Sequence, residues 1–259
     1  MNKYIKFLIP IIVLSVNSNA NEFKFNNDRG WEVSTSLGIW GISSDGNIVG
    51  TINNSFEIID SFNSNESKGY VSIDVKNPYV LIPNVMFDYN GVETKGESKK
   101  TNIFVTIPVQ SNLSMSQYEI TPYYNLLRYK GFEIDVGATI KFIDTIYSVD
   151  DFDFKDETES IVPMAYLRWR FEFEMGLGIE RDIKYITDGS STVYDARAKI
   201  DYVFKDLIKD ISPGVEIGYR YQHFDINSAD NSFISPILNS NTRTKLTFSG
   251  VYGGVKIKF

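Results

Sequence analysis

The chain has 259 residues, no cysteine, and 33 acidic against 26 basic residues, for a net charge of −7. The missing cysteine excludes disulfides, thiol nucleophiles, thiolate metal sites and a lipid-modified leader, and the acidic balance argues against nucleic acid as a partner. No apolar run beyond residue 20 reaches the roughly 20 residues of a membrane helix, so a soluble domain or a strand-built membrane barrel remains.

Residues 1–20 read as a cleaved signal peptide. Lys3 and Lys6 make a positive start, Phe7 to Val16 is a short apolar run, and Ser18-Asn19-Ala20 offers small residues for cleavage. The exported part, 21–259, is expected to form one domain.

Alternating segments follow, with turn-like stretches between them. A strand has a side-chain period of two, so each segment has an oily and a wet face. The first is Gly30 to Ile42, with Val33, Leu37 and Ile39 on one face and Glu32, Ser34 and Ser36 on the other. Gly69 to Lys76, Asn84 to Val92 and Leu113 to Tyr124 come next. The fifth is the clearest: Phe132, Ile134, Val136, Ala138, Ile140 and Phe142 oppose Glu133, Asp135, Gly137, Thr139 and Lys141. Ile161 to Phe171, Phe173 to Tyr185, Thr192 to Phe204, Gly214 to Phe224 and a last strand closing at Phe259 complete ten. An apolar piece at Ile103 to Val109 is a further strand candidate outside the membrane.

The expected architecture is all-β: a closed antiparallel transmembrane β-barrel of about ten strands, with eight or twelve as alternatives. Closure is required because an open sheet edge in lipid leaves N–H and C=O groups bare at several kcal/mol each. The far links are 43–68, 93–112, 143–160, 186–191 and 225–245, and most of them read as long loops rich in Asn, Ser and Asp. Links at the termini end, 77–83, 125–130, near Glu172 and 205–213, read as short, the last with a helical turn at Lys205 to Asp210. This asymmetry places both termini in the periplasm of a bacterial outer membrane.

The last strand resembles the C-terminal signal read by the barrel-insertion machinery, with Tyr252, Gly254, Ile257 and the terminal Phe259 in the corresponding places. Three further segments resemble a family of largely uncharacterised Gram-negative outer-membrane barrels. Asn77-Pro78-Tyr79-Val80-Leu81-Ile82-Pro83-Asn84 is similar to its His-Pro-x-Pro-Leu-Leu-Pro-Asn turn, without the His and the second Pro. Glu119-Ile120-Thr121-Pro122-Tyr123-Tyr124 with Leu126-Leu127, and Phe132 to Gly137, are similar to two of its strands. The resemblance implies fold and location and carries no reaction.

The wet faces are heavily charged. Asp74, Glu133, Asp135, Glu180, Asp182, Asp195, Asp201 and Glu216 stand against Lys141, Arg168, Arg170, Arg197, Lys199, Arg220 and Lys256. A barrel near eight strands is just wide enough to be filled by side chains, so a filled or constricted lumen is favoured over an open pore. Asp195, Arg197, Lys199, Asp201, Glu216 and Arg220 are the candidate constriction.

His223, the single histidine, has Asp225 two residues on, with Asp150 and Asp151 in a far link. Barrel proteases and lipid A-modifying barrels use such groups near their rims, but their surrounding motifs are missing, and His223 reads as a rim residue. Asp150-Asp151-Phe152-Asp153 with Asp156, Glu157 and Glu159 lacks the glycine-turned loop of a calcium site and reads as a solvated stretch. Arg181 interrupts the oily face of its strand and reads either as a rim residue in reach of lipopolysaccharide phosphates or as an irregular strand end.

The expected protein is a monomer without cofactor, metal or catalytic residues. Its partners are outer-membrane lipid, lipopolysaccharide and, during insertion, the barrel-assembly machinery. Its role is structural or that of a small-solute channel. The alternatives are an enzyme around His223 and an adhesin or receptor using the links 43–68 and 225–245.

Overall fold

A computed structural model describes residues 30–52, 56–79, 81–102, 105–149, 154–204, 211–228 and 241–259. The leader at 1–20, Asp150 to Asp153 and the Lys205 to Asp210 turn lie outside the described residues.

Ten strands are present: β1 (Glu32–Ile52), β2 (Phe56–Lys76), β3 (Asn84–Asn102), β4 (Val105–Tyr129), β5 (Phe132–Val149), β6 (Phe154–Glu172), β7 (Leu177–Thr187), β8 (Thr192–Val203), β9 (Ser212–Asn227) and β10 (Asn241–Lys258). Each pairs antiparallel with its chain neighbours, and β1 pairs with β10, so the sheet closes on itself. The seam runs from Ser34↔Lys258 to Thr51↔Asn241, and Phe259 N donates to Val33 O at 2.9 Å.

The turns at the termini end are short. Lys130 and Gly131 form a two-residue hairpin loop with φ of 45° and 83°. Positive φ at both central residues matches the right-handed twist of the flanking strands. Phe173 to Gly176 make the next turn, so the seventh strand starts at Leu177 rather than at Phe173.

The far end departs from the sequence reading. Residues 43–52, 56–68, 93–102, 105–112, 143–149 and 154–160 were expected in loops, and the structure places them in strands. Part of 225–245 is likewise strand, at the ends of β9 and β10. The expected far link at 186–191 is a turn closely matching its place, with Ser191 N donating to Asp188 Oδ1 at 2.7 Å.

These extensions formed because the alternation continues with its polarity exchanged. Along β5, inward Glu133, Asp135, Thr139 and Lys141 give way to Ile143, Tyr147 and Val149, all buried. Outward Ile140 and Phe142 give way to Asp144, Ile146 and Ser148, two polar residues flanking one apolar. β9 behaves alike: inward Glu216, Arg220 and Gln222 precede Phe224 and Ile226, while outward Ile217, Tyr219 and Tyr221 precede His223 and Asp225. The barrel therefore has two tiers. Toward the termini it is oily outside and charged inside, as lipid requires. Beyond the belt it is polar outside and oily inside, like a water-soluble barrel. About 9–11 tilted residues cross a bilayer, so the 21 residues of β1 continue well beyond it.

The oily tier is built from Trp40, Ile42, Ile48, Phe62, Leu113, Ile143, Tyr147, Phe224, Leu246 and Phe248. One carboxylate, Asp60, is fully buried among them. Its Oδ2 accepts the Tyr147 hydroxyl, and its Oδ1 meets no donor among the described residues, the Ser111 hydroxyl standing nearby. Burial pushes this carboxyl above the ordinary carboxylate range, against the opposing pull of the Tyr147 and Ser111 hydroxyls. The folded protein thus holds this proton more tightly than the unfolded chain does. Stability from this group is fully present below about pH 4, the unfolded value, and is lost as pH rises through the folded value. Asp60→Asn should therefore raise stability at pH 7 and leave it nearly unchanged at pH 4. Thermal unfolding in detergent at the two pH values checks this.

Candidate functional site: the ionic lumen

Every strand in the lower tier contributes inward polar side chains, because the outward positions are taken by residues such as Leu37, Val71, Phe87, Ile140, Ile217 and Val255. Some inward charges pair between neighbouring strands, as Glu119 with Lys141 and Asp182 with Arg197, and others meet across the lumen, as Asp88 with Lys184 and Glu119 with Arg220.

At the termini end, Glu133 is held by Lys76 at 2.9 Å and Arg128 at 3.0 Å. Arg170 grips Asp201 with two nitrogens, at 2.6 and 2.9 Å, and reaches Glu180 at 3.2 Å. Lys256 adds a contact to Asp201 at 3.4 Å. Such two-pronged guanidinium–carboxylate pairs combine charge with fixed geometry.

Higher up, Arg168 bridges Asp135 at 2.7 Å and Asp74 at 3.0 Å, with its guanidinium 4.6 Å from the Tyr123 ring centre. Lys199 joins Glu180 and Glu216, and Arg197 joins Asp182 and Asp88. The top layer is a cage. Lys141 contacts Glu119 at 3.1 Å and Asp195 at 2.8 Å, Lys184 contacts Asp88 and Glu119, and Arg220 contacts Asp195 at 2.7 Å and Glu119 at 3.0 Å. Gln222 donates to Asp195 Oδ2 at 2.8 Å and to Gln117 Oε1 at 2.9 Å. Lys141 and Lys184 are 0% exposed. The Arg220 guanidinium then lies 5.3 Å from the Trp40 ring centre, where the charged tier meets the oily one.

All six residues of the expected constriction face this lumen. Asp195 and Arg220 belong to the top cage; Arg197, Lys199 and Glu216 lie in the middle, and Asp201 near the termini end. They do not form a single ring. The expected set also omits Asp88, Glu119, Lys141 and Lys184, which complete the charged part of the cage. Lys184 shares the inward parity of Glu180 and Asp182, and that was the available signal.

The C-terminal residues divide by parity. Phe259 is exposed on the outer wall, and Ile257 is half-buried. Tyr252 and Gly254 face inward, where the Tyr252 and Tyr70 rings meet edge-on at 5.3 Å. Tyr70 donates to Glu216 Oε1 at 2.7 Å. A Cβ at 254 would stand 2.3 Å from Leu37 O and 2.5 Å from Tyr70 Oη, so Gly254 makes room both for the neighbouring β1 backbone and for that hydrogen bond.

His223 is on the outer wall. Its Nδ1 lies 3.0 Å from Thr247 Oγ1, while Asp225 is engaged by Arg243 at 3.0 Å and Lys245 at 3.4 Å. Asp225 therefore faces cations on β10. Asp156, Glu157 and Glu159 lie on β6, not in a loop, and Lys155 pairs with Glu157 at 2.5 Å. Arg181 is exposed mid-strand, not at the rim, with its guanidinium 5.8 Å from the Trp169 ring centre.

No protein-family model and no curated protein matches the sequence. Solved structures do match the fold. The outer membrane protease OmpT from Escherichia coli aligns with a TM-score of 0.52 at 10% identity, covering 92% of this chain and 99% of that one. The outer membrane protein OprG from Pseudomonas aeruginosa aligns at 0.42 and 9% identity, covering 89% and 97%. Neisserial surface protein A aligns at 0.29 and 12%, covering 89% and 98%. At such identity the first likeness establishes the fold, a ten-stranded antiparallel barrel of the bacterial outer-membrane type.

Two outcomes follow. Arg220→Met takes away one of the three cations that Asp195 and Glu119 share, leaving them Lys141 and Lys184, and should cost about 3 kcal/mol, read by urea unfolding of the protein in detergent. Gly254→Val should expel the Tyr70 ring and cost about 1–3 kcal/mol, with the Tyr70–Glu216 hydrogen bond lost in a structure of the variant.

Proposed function

We propose that this chain is an integral outer-membrane protein with both termini in the periplasm, and that it serves the envelope as a closed, non-enzymatic barrel rather than as a solute channel. The carrying observation is the ionic cage, in which Lys141 and Lys184 have no exposed surface. A water-filled passage needs charges that face water, whereas these charges face each other. The oily tier above the cage adds a second layer that an ion or sugar would have to cross.

A monomer held by outer-membrane lipid and lipopolysaccharide, inserted by the barrel-assembly machinery through its Tyr252 to Phe259 strand, fits this reading. So does kinship with the barrels that carry a proline-rich turn. The placement of His223 beside Thr247, with Asp225 turned to Arg243 and Lys245, supports the absence of catalysis. The extension of β1 to β6 into the former loop regions leaves less loop for an adhesin or receptor role.

Planar-bilayer recordings of the folded protein test the proposal. It expects no discrete conductance steps, and regular steps of uniform size would overturn the closed reading. His223→Ala should leave surface proteolysis and lipid A composition unchanged in cells carrying the variant. A loss of either activity would restore the enzyme alternative.

A further inference from the structure

The turn from Asn77 to Asn84 is uncharged and places apolar side chains in the open. Leu81 is 90% exposed, Tyr79 59% and Ile82 53%. It is nevertheless a built turn. Asn77 N donates to Asn84 Oδ1 at 2.9 Å, and Asn77 Nδ2 donates to the carbonyls of Ile82 and Pro83 at 2.9 and 3.0 Å. Tyr79 N donates to Asn77 Oδ1 at 2.8 Å, and Ile82 N to Tyr79 O at 3.3 Å. The conformation is fixed by Asn77, and its apolar tip is held out rather than collapsed.

Two contacts fix the direction in which it lies. The Tyr79 ring meets Trp31 edge-on at 6.5 Å, and Tyr124 donates its hydroxyl to Leu81 O at 3.2 Å. Trp31 precedes β1 on the outward parity of Val33 and Leu37, and Tyr124 is an outward residue of β4. The turn joins β2 to β3, so it is pinned from both sides to the outer wall, below the oily belt and continuous with it. A turn covering the lumen mouth would instead contact inward residues.

We propose that this turn is a membrane anchor: its Tyr79, Leu81 and Ile82 side chains insert into the headgroup–acyl boundary of the phospholipid leaflet at the termini end. The occupant is lipid because the surface is apolar and uncharged, and because it extends the belt that already faces acyl chains. Tyr and Trp suit this depth, with an oily ring and one polar group. The inference rests on the membrane reading of the barrel given above.

The cysteine-free chain allows a direct test by nitroxide labelling in proteoliposomes of the purified protein. Leu81→Cys and Ile82→Cys carry the probe, Ile217→Cys marks the mid-belt, and Asn47→Cys marks the polar outer wall of the far tier. Accessibility to oxygen, which partitions into lipid, is compared with accessibility to a water-soluble nickel chelate. The proposal expects Leu81 and Ile82 to favour oxygen severalfold over the Asn47 site, though less than Ile217. If Ile217 favours oxygen while Leu81 and Ile82 favour the chelate, the turn projects into water and the anchor is refuted. If both reagents are excluded at Leu81, the turn packs on protein, and the anchor is again refuted. If Ile217 itself favours the chelate, the membrane reading fails and the anchor falls with it.

Discussion

A strand in hydrocarbon has no water to satisfy its N–H and C=O groups, so every one must find a partner in the sheet. The β1–β10 seam meets that demand, and the rest of the structure follows from it. Once the sheet is closed, lipid takes one face of each strand, and alternation sends the other face inward. Charged residues are costly against acyl chains, so apart from Arg181 over Trp169 those of the lower tier face the lumen, and in a ten-stranded lumen they have little room for water between them. They pair with each other instead. Moving a carboxylate or ammonium out of water costs several kcal/mol, which only good geometry and further hydrogen bonds offset. The cage around Glu119 and Asp195 has both: three cations, Gln117 and Gln222 surround two carboxylates.

The exchange of polarity along the strands separates two environments in one continuous sheet. In the lower tier the barrel is held by ion pairs inside and lipid outside. In the upper tier it is held by oily packing inside and water outside. The junction is marked by side chains that belong to both: Arg220 over Trp40, and Lys141 with its ammonium 5.5 Å from the Phe224 ring centre. An oily layer above an ionic layer fills the lumen with two different side-chain environments.

The lower tier was legible in the sequence because its oily face is nearly unbroken in segments such as Phe132 to Phe142 and Gly214 to Tyr221. The upper tier was not, because its outward Asn, Ser and Asp read as loop. Ile42, Ser44, Gly46 and Ile48 keep the period of two against Ser43, Asp45 and Asn47, with the oily residues on the opposite parity. A reading that tracks the period and lets its phase change finds these residues in strand. The inward direction of the lumen charges was equally legible from parity. Their partners were not, since Tyr70 and Glu216, or Lys184 and Asp88, are far apart in sequence and meet only when the sheet closes. In the Asn77 to Asn84 turn, the prolines signalled a bend, but the side-chain clasp by Asn77 and the outward tilt needed coordinates.

The polarity exchange is most directly tested on β5, by fluorescence of a single tryptophan in vesicles containing brominated lipid. With the three native tryptophans replaced by Phe, Phe142→Trp and Ser148→Trp report outward positions on either side of the exchange. The account expects strong quenching by brominated acyl chains at 142 and little at 148. Equal quenching at both positions, or at neither, would contradict a sheet whose lipid face ends partway along its strands.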